Sequence, residues 1–112
     1  MQLKEKGKQG EALVRQLYEQ EGYCCVDQNF TFPWGEIDLI MERDDELVFV
    51  EVKVVDYLEN WDFCLSLRKR AVLERSIDNY CYRKDISKEI RLDVAIVQKG
   101  TCIARYINVT NS

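Results

Sequence analysis

Histidine is absent from the 112 residues. That removes every mechanism built on an imidazole base, the Ser/His/Asp and Cys/His triads among them, and every metal site with a histidine ligand. The five cysteines, Cys24, Cys25, Cys64, Cys81 and Cys102, are odd in number and form no CxxC pair. Zinc and dithiol readings therefore fall away, and each cysteine is expected to be a small buried thiol in a reducing compartment. Neither GxxxxGK[ST] nor GxGxxG occurs, so nothing announces a nucleotide-binding loop. Proline appears once and glycine five times among 46% apolar and 32% charged residues, the composition of an ordinary folded chain. No apolar run approaches the roughly 18 residues of a membrane span, and MQLKEKGKQG offers no apolar region for a signal peptide. The expectation is a cytoplasmic protein with no membrane partner, folded as one domain over residues 1–112. What remains for chemistry is carboxylate, lysine and metal.

The net charge of −4 argues against a generically basic nucleic-acid binder, yet it hides an asymmetry along the chain. From Glu36 to Asp62 ten acids stand against Arg43 and Lys53, whereas from Arg68 to Arg91 eight bases stand against four acids. Asp44, Asp45 and Glu46 read as a solvated turn.

The stretch from Glu5 to Gly22 carries Leu13, Val14, Leu17 and Tyr18 at helical spacing, with Gly22 as its stop. Tyr23 to Val26 reads as a short edge strand and Asp27, Gln28 and Asn29 as turn residues. Two runs of period two follow. In FTFPWGEIDLIM, Glu36, Asp38 and Ile40 share one face, and Ile37, Leu39 and Met41 the other. In ELVFVEVKVV, Phe49, Glu51 and Lys53 share a face, and Val48, Val50, Val52 and Val54 the other. MERDDEL joins the two runs as an antiparallel hairpin. DYLENWDF has no clear period and reads as a loop with a helical turn at most. A second amphipathic helix is expected from Ser66, its N-cap, to Arg83, with Leu73, Ile77, Tyr80 and Cys81 inward and Arg68, Lys69, Arg70 and Arg75 on a basic face. EIRLDVAIV and CIARYINV, separated by the Lys99–Gly100 turn, close an α/β order of helix, strands, helix, strands.

On such a hairpin Asp38 and Glu51 lie beside each other, with Glu36 near and Lys53 two residues beyond Glu51. Like charges across two strands destabilise a sheet by up to about 1 kcal/mol unless something positive sits between them. Oxygen ligands without His or Cys suit a hard ion, so Mg²⁺ or Mn²⁺ held by Asp38 and Glu51 is the expected cofactor, with Glu11 of the first helix projecting toward the same edge. A hard cation beside a lysine ammonium is the equipment for phosphodiester hydrolysis. The same alternation also fits the wet face of a one-sided sheet, with Glu51 and Lys53 a surface ion pair of negligible value.

These residues resemble the YraN family of small bacterial proteins, which are similar to Holliday-junction resolvases and belong to the PD-(D/E)xK nuclease superfamily. The resemblance runs through KGKQGEALVRQLYEQEGY, GEIDLI, VFVEVK, SLRKRAVLERSIDNY and RLDVAIV, and GEIDLI followed by VFVEVK is its most specific part. It implies a restriction-endonuclease-like fold, a mixed central sheet flanked by helices in the order α-β-β-β-α-β-β. It implies that Asp38 and Glu51 are the metal-binding acids, Lys53 the catalytic lysine and Glu11 the helical acid. Glu36 belongs to the GEID pattern, with a role the resemblance leaves open. Arg68, Lys69 and Arg70 begin a basic helix that the resemblance places at DNA, branched or structured, and a homodimer is implied by the two symmetric strands of a junction. Where the family continues the lysine motif with Thr and Arg, this chain has Val54 and Val55. The expected function is a metal-dependent endonuclease; the alternative is a nucleic-acid-binding or interaction module that keeps the nuclease fold without cleavage.

Overall fold

Among the described residues, hydrophobic periodicity and turn chemistry resolve into seven elements. The computed structural model describes residues 3–55 and 67–109, with side chains described from 7 to 55 and from 70 to 109. Cys64, the Ser66 cap, the side chains of Arg68 and Lys69, and the DYLENWDF segment lie outside the described residues. Helix α1 (Leu3–Gln20) is followed by β1 (Cys24–Phe32), β2 (Gly35–Arg43) and β3 (Glu46–Val55), then α2 (Leu67–Lys84), β4 (Glu89–Gln98) and β5 (Thr101–Tyr106). The strands form one sheet in the order β1-β2-β3-β4-β5. All neighbours are antiparallel except β3 and β4. That parallel pair needs a crossover, and α2 lies in the connection that supplies it.

Each helix closes one face of the sheet. Val14 and Tyr18 of α1 pack with Leu39, Met41, Val48, Val50, Ala95 and Val97. Leu73, Ile77 and Tyr80 of α2 pack with Ile37, Ile40, Leu47, Phe49 and Leu92. Because both faces are covered, the central strands read as continuous apolar runs rather than clean alternations.

Three expectations are corrected. The edge strand does not stop at Val26: β1 runs on through Phe32, absorbing Val26 at a bulge, pairing Asp27 with Ile40 and taking Asn29 at φ 51°, and the break falls at Pro33–Trp34 instead. Pro cannot donate to the ladder, which is why FTFPWGEIDLIM divides between two strands. The cysteines are not uniformly buried, since Cys24 is exposed and Cys25, Cys81 and Cys102 are half-buried. Cys24, Cys25 and Cys102 sit on the two edge strands, where only one flank is covered. Within the acidic turn Asp44 and Asp45 are solvated, but Glu46 is half-buried, accepting from Tyr23 Oη at 2.9 Å and pairing with Arg91 at 3.2 Å.

Candidate metal centre

The site begins where the hairpin comes apart. β2 and β3 pair from Arg43↔Glu46 as far as Leu39↔Val50 and no further. The next rung would have set Asp38 opposite Glu51, on the face of Ile40 and Phe49 under α2. Instead the chain turns over at Asp38: Ile37 packs beneath α2 and Leu39, two residues on, beneath α1. The expectation that Asp38 shares a face with Ile40, and Ile37 with Leu39, fails at this one residue. The Val52 N–H loses its strand partner at the split and donates to Asp38 Oδ2 at 2.8 Å. A side chain thus completes the hydrogen bonding that the ladder leaves undone.

Helix α1 supplies the second wall. Glu11 lies on the same stripe as Val14 and Tyr18, three and seven residues on, so it continues the buried face past the end of the core. The helix can sit close because residue 10 is glycine: a Cβ there would meet Val54 Cγ2 at 2.6 Å. Carboxylate oxygens of Glu11, Glu36 and Asp38 all come within 4.8 Å of one another. The third component is Asn29, whose Nδ2 donates to Glu11 Oε1 at 2.8 Å and to Glu36 Oε1 at 3.2 Å. Its positive φ aims it there, and Asn tolerates that conformation better than most residues. From sequence Asn29 reads only as a turn residue; the sole local signal for more is a left-handed-tolerant amide next to a strand. A shallow pocket of about 410 Å³ opens over this corner, lined by Gly7, Lys8, Glu11, Asn29 and Glu36.

Electrostatics single out Asp38. Burial, then the charge of Glu51, push its carboxyl from the ordinary 3.8 up to about 8, with Glu11 and Glu36 adding to the rise and the Val52 hydrogen bond opposing it. Glu51 therefore acts on Asp38 although it stands outside the group of three, and Glu36, whose role was open, stands within it. Lys53 follows Glu51 by two residues on β3 and is half-buried. Arg70 is engaged by Glu74 at 3.5 Å and donates to the Val109 carbonyl, tying the segment after β5 to α2.

A five-stranded mixed sheet with a helix on each face, in the order α-β-β-β-α-β-β, is a restriction-endonuclease-like α/β architecture. The profile described as "Uncharacterised protein family UPF0102" matches residues 10–97, from the glycine under α1 to the end of β4. Similar relatives bear the same family name. One from Flavobacterium psychrophilum is 34% identical over 96 residues, covering 83% of this chain and 80% of the relative. One from Synechococcus sp. is 34% identical over 103 residues, covering 87% and 78%. One from Pseudoalteromonas translucida is 32% identical over 100 residues, covering 84% and 79%. The chain belongs to the UPF0102 family, the family to which the YraN resemblance pointed.

Proposed function

We propose that this chain is a metal-dependent DNA endonuclease that hydrolyses phosphodiester bonds, acting on branched or structured DNA. The observation that carries the reading is the gathering of Glu11, Glu36 and Asp38 oxygens within 4.8 Å, next to a Glu51 that helps push Asp38 up to about 8. Two oxygens on opposite sides of one cation lie about 4.2 Å apart for Mg²⁺ and close to about 4.8 Å for a larger ion, so the spacing fits a single hard ion. The donors are oxygen alone, which suits Mg²⁺ or Mn²⁺ and not a soft metal. Glu11, Glu36 and Asp38 would hold it, with Glu51, a metal-binding acid by resemblance, acting on Asp38 from beside them.

When bound, the cation supplies acidified water and offsets charge developing on the phosphate. The chain's own residues do the rest. The Val52 N–H fixes the Asp38 rotamer, and Asn29 holds Glu11 and Glu36 with one amide, so the carboxylates are arranged before a ligand arrives. The Lys53 ammonium, two residues from Glu51, orients the attacking water or steadies a phosphate oxygen. By resemblance the working unit is a homodimer, and Arg68, Lys69 and Arg70 are DNA contacts.

A binding module without cleavage is the second reading, favoured by the apolar continuation of the lysine motif: Val54 packs against α1 instead of offering a polar group. A panel of flap, four-way and linear DNA incubated with Mn²⁺ separates the two. The nuclease reading expects cleavage of at least one substrate, lost in Lys53→Ala while DNA binding persists. A wild type that binds DNA and cuts none of the panel leaves the module.

A further inference from the structure

Beyond the metal centre, the outer side of the sheet carries a second feature that its acidic composition does not lead one to expect. Phe30 and Phe32 of β1 and Trp34 in the turn after it lie on the face toward α2, and each ring has a cation over it. Arg75 lies 4.1 Å from the Trp34 ring centre, Arg83 5.9 Å from Phe32, and Lys84 5.9 Å from both Phe30 and Tyr80. The rings are themselves fixed. Trp34 stacks on Phe32 at 5.4 Å and donates through Nε1 to the buried Ser76 at 2.7 Å. Phe30 meets Tyr80 edge-on at 5.0 Å.

Several other cations are spent on carboxylates, while Arg43 donates to the Glu21 carbonyl and lies over the Tyr23 ring. Arg15 pairs with Glu19, Lys88 with Glu42, Arg91 with Asp93 and Arg105 with Glu21. Among the described residues, Arg75, Arg83 and Lys84 have no carboxylate within ion-pair distance, and all three are exposed. Glu74, the nearest acid on the helix to Arg75, is taken by Arg70, leaving Asp78 as the exposed acid between them. Eight helical residues separate Arg75 from Arg83, about 12 Å, the axial rise of three to four phosphates on one strand. The row lies on the α2 face of the sheet and the carboxylate cluster on the α1 side, so a strand that engages both passes over the edge strand β1 between them.

We propose that Arg75, Arg83 and Lys84, held over Trp34, Phe32 and Phe30, form a track for the phosphate backbone of the DNA whose scissile phosphodiester lies at the Glu11, Glu36 and Asp38 carboxylates. The inference rests on the nuclease reading and extends it by naming where the flanking strand runs. Three cations unmatched by acids face a polyanion with favourable charge, which a protein of net charge −4 needs if it is to bind nucleic acid at all. The aromatic faces hold the side chains in place, so little rotamer freedom is lost on binding.

The test uses the full chain carrying Arg75→Gln, Arg83→Gln and Lys84→Gln together, because Gln keeps much of the stem that covers each ring while removing the charge. Binding of a labelled four-way junction and a labelled linear duplex is followed in Ca²⁺ by anisotropy over a range of salt concentrations. The track predicts an affinity at least ~10-fold weaker and a slope of log K against log salt smaller by about 2.7, with an unchanged melting temperature. Lys99→Gln, on the β4–β5 turn, is the control and should leave the slope where the wild type has it. If the triple variant keeps the wild-type affinity and slope, or Lys99→Gln moves the slope as much per charge, the track is wrong. Cleavage by the wild type alongside either result discards the track and keeps the nuclease. A wild type that binds neither DNA discards both.

Discussion

Asp38 concentrates the consequences of a single side chain. Its folded pKa, raised from 3.8 to about 8, means that the native state holds a proton which the unfolded chain has already released over that interval. Stability contributed by this group is therefore greatest at low pH and is lost as pH climbs from about 4 to about 8. Urea unfolding without divalent ions should show the wild type losing stability between pH 5 and pH 8.5. Asp38→Asn, which keeps an acceptor for the Val52 N–H, should flatten that dependence and be more stable than the wild type at pH 8.5 by about 1–3 kcal/mol. A cation that takes the proton's place must displace it. Calorimetry of Mn²⁺ binding at pH 7 in two buffers of different ionisation enthalpy should report close to one proton released, and Asp38→Asn should abolish that release. Asn29 is the companion case. Asn29→Gly preserves the left-handed backbone and deletes only the amide that holds Glu11 and Glu36, so Mn²⁺ affinity should fall by about 10-fold or more with little change in melting temperature.

At the scale of elements, the height of α1 over β3 sets whether Glu11 reaches Asp38. Gly10 is the contact that allows it, since an added Cβ would stand 2.6 Å from Val54 Cγ2. Gly10→Ala should cost about 1–3 kcal/mol through overpacking and weaken Mn²⁺ binding, because lifting the helix moves Glu11 with it. Val54→Ala in the same chain makes room again, so the double variant should bind Mn²⁺ more tightly than Gly10→Ala alone. A double variant no better than the single one would place the helix elsewhere. The two helices, the β2–β3 hairpin and the Lys99–Gly100 turn were legible from period and turn chemistry. The end of β1 was not, because a bulge and a positive-φ Asn29 disguise a nine-residue strand as a short strand and a turn.

Over the whole molecule, Asp93 joins what the sheet order separates. Fully buried on β4, it accepts from Tyr18 of α1 at 2.6 Å and from two Arg91 nitrogens at 2.9 and 2.8 Å, while its Oδ1 also takes the Asn108 N–H at 2.9 Å. Arg91 continues to Glu46 at the start of β3. Burial and the Asp93 carboxylate push the Tyr18 hydroxyl far above its ordinary range, so it remains a donor throughout accessible pH. Asp93→Ala strands a half-buried guanidinium and a buried phenol together, and chemical denaturation should register a loss of about 3–5 kcal/mol. In EIRLDVAIV, Arg91 and Asp93 alternate with Leu92, Val94 and Ile96; nothing in that pattern shows that β4 lies parallel to β3 with both its faces covered.

The sequence alone determined the kinds of chemistry open to this chain and the order of its elements: no imidazole, oxygen donors in GEID and VEVK, a lysine beside them, helices and strands spaced by local periodicity. Those are properties of neighbours along the chain, which side-chain period and turn residues encode directly. Only the tertiary structure decided that the hairpin splits after Leu39, that Asp38 turns toward α1, that Glu36 and Asn29 join Glu11 there, and that Asp93 is interior. Each of these depends on contacts between residues distant in sequence, where the position of one helix over the sheet settles which carboxylates meet and how much water they keep.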